Sequence, residues 1–153
     1  MTTVEEAIRQ TLENDAELMA VAVAGVHDAS TVGRNGMTVD YLKNDDDPQI
    51  HPGIYIKWSS IQPWPEAEAT LQASRGFLEV YFYQEMRFDC IQTMRRRVLE
   101  LLHHQRVEID EPAGDYVCEI IWAGDTLNQV DEAMAGVSFE RSRYSVVMTR
   151  RSV

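Results

Sequence analysis

The run Met94 to His104, MRRRVLELLHH, sets three consecutive arginines and two adjacent histidines inside a chain of 153 residues whose formal charge is -11. Guanidinium groups in a row suit phosphates or carboxylates, which they grip through forked hydrogen bonds. Paired imidazoles suit a metal ion. Helical neighbours, however, stand about 100° apart, whereas a helical metal pair needs i,i+4 spacing so that both rings face one point. His103 and His104 are therefore expected as helix-end residues set against the carboxyl-terminal dipole rather than as ligands. His27 and His51 fall in a loop and create no ligand spacing. Asp45, Asp46 and Asp47 lack the alternating positions and central glycine of a calcium loop. Glu79, Asp89 and Glu119 could be imagined as a nuclease-like acidic set, but Glu79 alternates onto a strand face and no lysine sits in the expected neighbourhood. No GxSxG, Walker loop, HExxH or GxGxxG is present. Neither a metal nor a cofactor nor a catalytic activity is expected.

The element that must carry the arginines is legible. With Met94 at 0° and about 100° per residue, Ile91, Met94, Val98, Leu101, Leu102 and Gln105 fall within one arc of roughly 100°. Arg96 and His103 then lie opposite, and Arg95 and Arg97 flank the arc. This predicts an amphipathic helix over roughly 87–105. Its apolar stripe contributes about 1.5–3 kcal/mol per fully buried aliphatic side chain, more than exposed charges offer. A pairing of Arg96 with Glu100 at i+4 adds only tenths of a kcal/mol. The arginine row is then either a solvated face or a contact for a partner.

The elements around that helix follow from period and punctuation. Thr2 and Thr3 each precede a glutamate by three residues, and Val4, Ala7, Ile8 and Leu12 share a face, which predicts a capped helix over 4–13. A short turn through Leu18 and Met19 follows, and VAVAGV is open to helix or strand. Residues 25–53 are dense in Gly, Pro, Asn and Asp, a long loop in which MTVDYL reads as a strand arm. IYIKWS (54–59) and GFLEVYFYQ (76–84) alternate as strands, the second bulky at nearly every position and hence central. A connection with a helical turn at 66–71 separates them. A third strand is expected over 116–122, followed by polar DTLNQVDEAMA. In the closing run, Val137 and Phe139 are out of phase with Tyr144, Val146 and Met148, which suggests a bulge near 141–143. The sum is one α+β domain over 1–153: a mainly antiparallel sheet of about four strands with two main helices packed on one face, and 25–53 as a loop or arm ordered by partner subunits.

Charge narrows the partners. Residues 1–53 hold ten acids and three bases. A net negative field repels phosphate and disfavours a free-standing nucleic-acid groove. An acidic loop meeting a basic helix on another subunit is electrostatically sensible. Cys90 and Cys118 are not CxxC-spaced and read as buried thiols. No apolar run approaches the roughly 18 residues of a membrane span, and MTTVEEAIRQ shows no basic stretch followed by an apolar core, so export is not expected.

An amino-terminal amphipathic helix, a long polar excursion, IYIKWS, GFLEVYFYQ, a basic helix ending LELLHH and a closing RYSVVMTRR together resemble the tail terminator or tail-completion proteins of long-tailed bacteriophages. The resemblance covers nearly the whole chain in element order. It implies a structural virion protein, assembled in the host cytoplasm, that forms a ring, usually a hexamer, on the end of the tail tube. There it stops tube polymerisation and joins the tail to the head connector or head-closure protein. DNA would pass through the channel without sequence-specific binding, and no membrane is involved. On this view Arg34, Asp45, Asp46, Asp47, Arg95, Arg96, Arg97, Arg150 and Arg151 are expected at subunit or tube interfaces. A head-closure or other neck role, and a monomeric small-ligand domain using Tyr81, Tyr83 and Trp122, are the alternatives.

Overall fold

Strand β5, Ala73–Gln84, explains why the molecule has two cores. Its even positions Leu78, Val80 and Phe82 are wholly buried on one face, while Tyr81 and Tyr83 on the other face join a separate apolar cluster. The computed structural model describes residues 4–32, 36–44, 47–63, 73–111, 114–134 and 136–150. In chain order the elements are α1 (Val4–Glu13), α2 (Ala16–Met19), β1 (Val26–Asp28), β2 (Lys43–Asn44), β3 (Asp47–Ile50), β4 (Gly53–Pro63), β5, α3 (Asp89–Leu102), β6 (Arg106–Glu111), β7 (Gly114–Asp131) and β8 (Val137–Arg150). Six strands form one sheet in the order β1-β4-β5-β8-β7-β6, and β2 pairs with β3 separately. The pairing of β1 with β4 is parallel and the other pairings are antiparallel.

This architecture corrects the expected α+β sandwich of about four mainly antiparallel strands with two main helices. The chain is mostly sheet, a mixed six-stranded sheet curled into half a barrel, with three short helices. Two polar stretches account for the difference. RVEIDE pairs as β6, and DTLNQVD, expected as a connection, continues β7 to a length of 18 residues. Edge positions have no need of an apolar alternation, so their period is invisible. MTVDYL is likewise not a strand arm: Val39–Leu42 is a 3-10 turn that buries Leu42.

Helix α1 places Val4, Ala7, Ile8 and Leu12 on the sheet, and α3 places Ile91, Met94, Val98 and Leu102 there, against Ile54, Ile56, Ile120, Tyr144 and Val146. Helix α3 has no capping side chain of its own at Phe88; instead Gln84, at the end of β5, accepts from the N–H groups of Cys90 and Ile91 at 2.9 and 3.3 Å. That satisfies two of the helix's four orphan donors and ties its start to the central strand. On the opposite face Val32, Leu42, Tyr55, Tyr83, Met134 and Val137 form the second core. Gly53 lets these layers meet, because a Cβ there would lie 2.6 Å from Leu42 Cδ2 and 3.1 Å from Ala24 Cβ.

The phase change in the closing strand has a cause other than the expected bulge near 141–143. Strand β8 runs against β5 in unbroken register from Ser138 to Thr149. Val137 and Phe139 serve the second core, whereas Tyr144, Val146 and Met148 serve the helix-side core. The irregularities lie on the neighbouring strand, at Trp122/Gly124 and Thr126/Gln129 of β7.

Candidate interaction surface

The predicted arginine row separates into three different environments. Arg95 points to the sheet. Its Nε donates to Glu140 Oε1 at 3.0 Å and its Nη1 to Asp125 Oδ2 at 2.9 Å. Glu140 has a side-chain exposure of 1%. The bulge at Trp122/Gly124 makes this convergence, because it turns Trp122 and Asp125 onto one face although they stand three residues apart. Asp125 Oδ1 then accepts from Trp122 Nε1 at 2.9 Å and from Ser142 Oγ at 2.7 Å. Glu140 Oε2 accepts the backbone N–H of Asn128, a residue at φ 54° in the second irregularity. One guanidinium thus holds the two carboxylates that brace both bends of β7.

Arg97 reaches the amino-terminal helices. It donates to Asp15 Oδ1 and Oδ2 at 2.7 and 2.9 Å, and to Glu100 at 2.9 Å. Asp15 also caps α2 by accepting from Leu18 N–H. The hydrogen bonds from Arg97 hold the Asp15 carboxyl well below its usual range, at about 2. The Glu100 partner is thus Arg97, at i+3, rather than Arg96. Arg96 alone is exposed and has no ion pair among the described residues; it lines a groove of about 170 Å³ between α2 and α3.

Of the other expected interface residues, Asp47 opens β3 and Arg150 ends β8, while Arg34, Asp45, Asp46 and Arg151 lie outside the described residues. So do Thr2, Thr3 and the expected turn at 66–71. His103 ends α3, and its Nδ1 accepts the N–H of Trp122 at 3.0 Å. Among the described residues no three His, Cys, Asp or Glu side chains gather as they would around a metal ion. Asp89 sits at the start of α3 beside Gln84 and Arg87, whereas Glu79 is across the sheet with Lys57 and Arg141. Tyr81 and Trp122 also fall on opposite faces: Tyr81 is registered with Arg141, and Trp122 with the core residue Tyr144.

A second group of cations was missed. On the sheet face away from the helices, the Arg75 and Arg143 guanidiniums lie 4.7 and 3.9 Å from the Phe77 ring centroid. Arg75 Nε also donates to Ser145 Oγ at 3.0 Å. Beside them, Arg141 and Lys57 share one carboxylate, Glu79, at 3.3 and 4.0 Å. Such cation–ring contacts contribute about 0.5–1 kcal/mol each when exposed. A signal was present: Arg75-x-Phe77 and Arg141-x-Arg143 have the period of two that puts side chains on one strand face.

The remaining exposed feature is an edge. Beyond Trp122, β7 pairs only with β8 among the described residues, since β6 ends opposite Glu119 and the turn at His104 and Gln105 opposite Ile120. Leu127 and Val130 on this stretch are 45% and 52% exposed, and Trp122 at its start is 41% exposed. Comparison of the sequence with protein-family models gives no match, and comparison with curated proteins gives none either.

Proposed function

We propose that the chain is a structural virion protein that forms a ring at the end of a long-tailed phage's tail tube, ends tube polymerisation and joins the tail to the head connector. The observation that carries this reading is the outer edge of β7 from Ala123 to Asp131, unpaired among the described residues, with Trp122, Leu127 and Val130 exposed along it. An unpaired strand edge with apolar side chains is a template for another chain, and soluble proteins usually blunt it. The opposite side of the sheet ends differently, in the three-residue β1, which covers only Ile54 to Ile56 of β4. Two unlike edges on one subunit favour a head-to-tail contact, the kind that closes into rings.

The order of elements supports the same reading. The resemblance rests on an amphipathic first helix, two alternating strands, a basic helix and a closing strand, and these stand at Val4–Glu13, Gly53–Pro63, Ala73–Gln84, Asp89–Leu102 and Val137–Arg150. The cluster of half-buried Arg95 and Asp125 with buried Glu140 braces the β7 edge at both bends, which would present it as a rigid surface. Cryo-electron microscopy of assembled particles tests the role. Density for this chain as a ring between tube and connector is expected, and its absence from the head-tail junction overturns the reading.

A further inference from the structure

The covered part of the β7 edge ends on an imidazole. Ile120 exchanges two backbone hydrogen bonds with the turn after α3: His104 N–H donates to its carbonyl at 2.8 Å, and its own N–H donates to Gln105 O at 3.1 Å. Two residues further, where a strand would offer its next carbonyl, the Trp122 N–H donates to His103 Nδ1 at 3.0 Å. A backbone amide can only donate, so this bond fixes the tautomer: Nδ1 carries the lone pair and the ring's proton is on Nε2. A proton on Nδ1 and the bond to Trp122 exclude each other, because two N–H donors would then face across 3.0 Å. His103 is half-buried, and solvent reaches it.

The bond holds the root of the free edge. Trp122 stands at the first bulge of β7, and its indole N–H is fixed to Asp125, which Arg95 holds in turn. Beyond it, the edge from Ala123 to Asp131 is unpaired among the described residues. On α3, Glu100 and Arg96 stand about one and two turns before the imidazole, Glu100 already paired with Arg97. His104 follows, its ring centroid 3.9 Å away. On the neighbouring strands stand Asp125, engaged as above, and Arg106 at the start of β6, registered with Glu119. The carboxyl end of α3 favours a positive charge at this position.

We infer that His103 is a proton-operated latch on the β7 edge. Neutral, it fixes Trp122 at the bulge; protonated, it lets the root of the edge go, and the free edge then begins one rung earlier, just past the Ile120 bonds. Its bearing on assembly rests on the proposed docking role of this edge, whereas the latch itself is a property of the single chain.

Amide hydrogen exchange of the full chain, followed by NMR with protection factors corrected for the intrinsic effect of pH, tests the latch together with the imidazole nitrogen signals. Imidazole changes charge between about pH 5 and 8, so the step is sought there. Across that range the Trp122 amide should lose about 10-fold of its protection, the usual worth of one hydrogen bond, in step with protonation of His103 Nδ1. His103→Ala should remove the step and leave protection low throughout, and His104→Ala should keep it. A Trp122 amide whose protection holds while His103 takes its proton overturns the latch. So does a step that survives His103→Ala or vanishes in His104→Ala. Should His103→Ala fail to fold, the wild-type titration decides alone. These signals come from the free chain, so a failed latch leaves the ring reading standing, and missing density at the head-tail junction leaves the latch standing.

Discussion

Arg95 on α3 and Arg143 on β8 are both arginines flanked by partners, yet they have opposite relations to the fold. Arg95 is inserted between a helix and a bent strand, where it pairs Asp125 and the buried Glu140; Arg143 lies on an aromatic ring at the surface. The difference shows that a cation's role depends on what its removal leaves behind. Without Arg95, Glu140 is a nearly solvent-free anion with one backbone donor remaining. Without Arg143, a phenyl ring gains water.

The comparison can be broken most sharply at Arg95. Arg95→Ala should destabilise the chain by about 3–5 kcal/mol in urea titration, the usual cost of leaving a buried charge unpaired. A double substitution, Arg95→Met with Glu140→Leu, should recover much of the loss, because an ion pair and an apolar pair of similar size are often near equal. Gly53→Ala comes next, at about 1–3 kcal/mol, since the added methyl overlaps the wholly buried Leu42. Arg97→Ala should cost less than Arg95→Ala and should be felt mainly above pH 4. Arg97 depresses Asp15, so this pair's stabilisation is complete above the ordinary carboxylate value and disappears as pH falls toward about 2.

Glu5 supplies the opposite sign. Burial, and then the charge of Asp28, raise its carboxyl above the usual range. Folded Glu5 therefore holds its proton more tightly than unfolded Glu5 does, and stability falls as pH rises through the raised value. Glu5→Gln should stabilise the protein modestly at neutral pH and have little effect at pH 3, as followed by thermal melts. Smallest of all, Arg143→Ala should cost no more than about 1 kcal/mol, its cation–ring contact, and Arg96→Ala should stay within about 0.5 kcal/mol. A large loss at Arg143 would show that the sheet-face patch belongs to the fold rather than to its contacts.

Local periodicity disclosed α1, the apolar stripe of α3 and the strands β4 and β5, because each buries one repeating set of side chains. It could not disclose the partners of Arg95, which stand 30 and 45 residues away, nor the bulge that changes the parity of β7 between Trp122 and Asp125. It misled at β8, where two cores on opposite faces imitate a bend. It overlooked β6 and the far half of β7, whose polar residues occupy an edge. The Phe77 patch was readable from the alternate positions of Arg75, Arg141 and Arg143, but only once β5 and β8 are known to be adjacent.

That adjacency bears on how the chain reaches its fold. The β4–β5 and β7–β8 hairpins join neighbours in sequence, whereas β5 and β8 meet across 54 residues at Gln84 and Ser138 and across 76 at Ala73 and Thr149. Closing so wide a loop costs entropy before its contacts reward it, and long-range pairing is the slow part of folding. The seam between β5 and β8 should therefore join last, welding two half-sheets that have already formed. Until it does, the long edges of both strands stay open to other copies, so the interval before closure is when this protein is most exposed to misassembly.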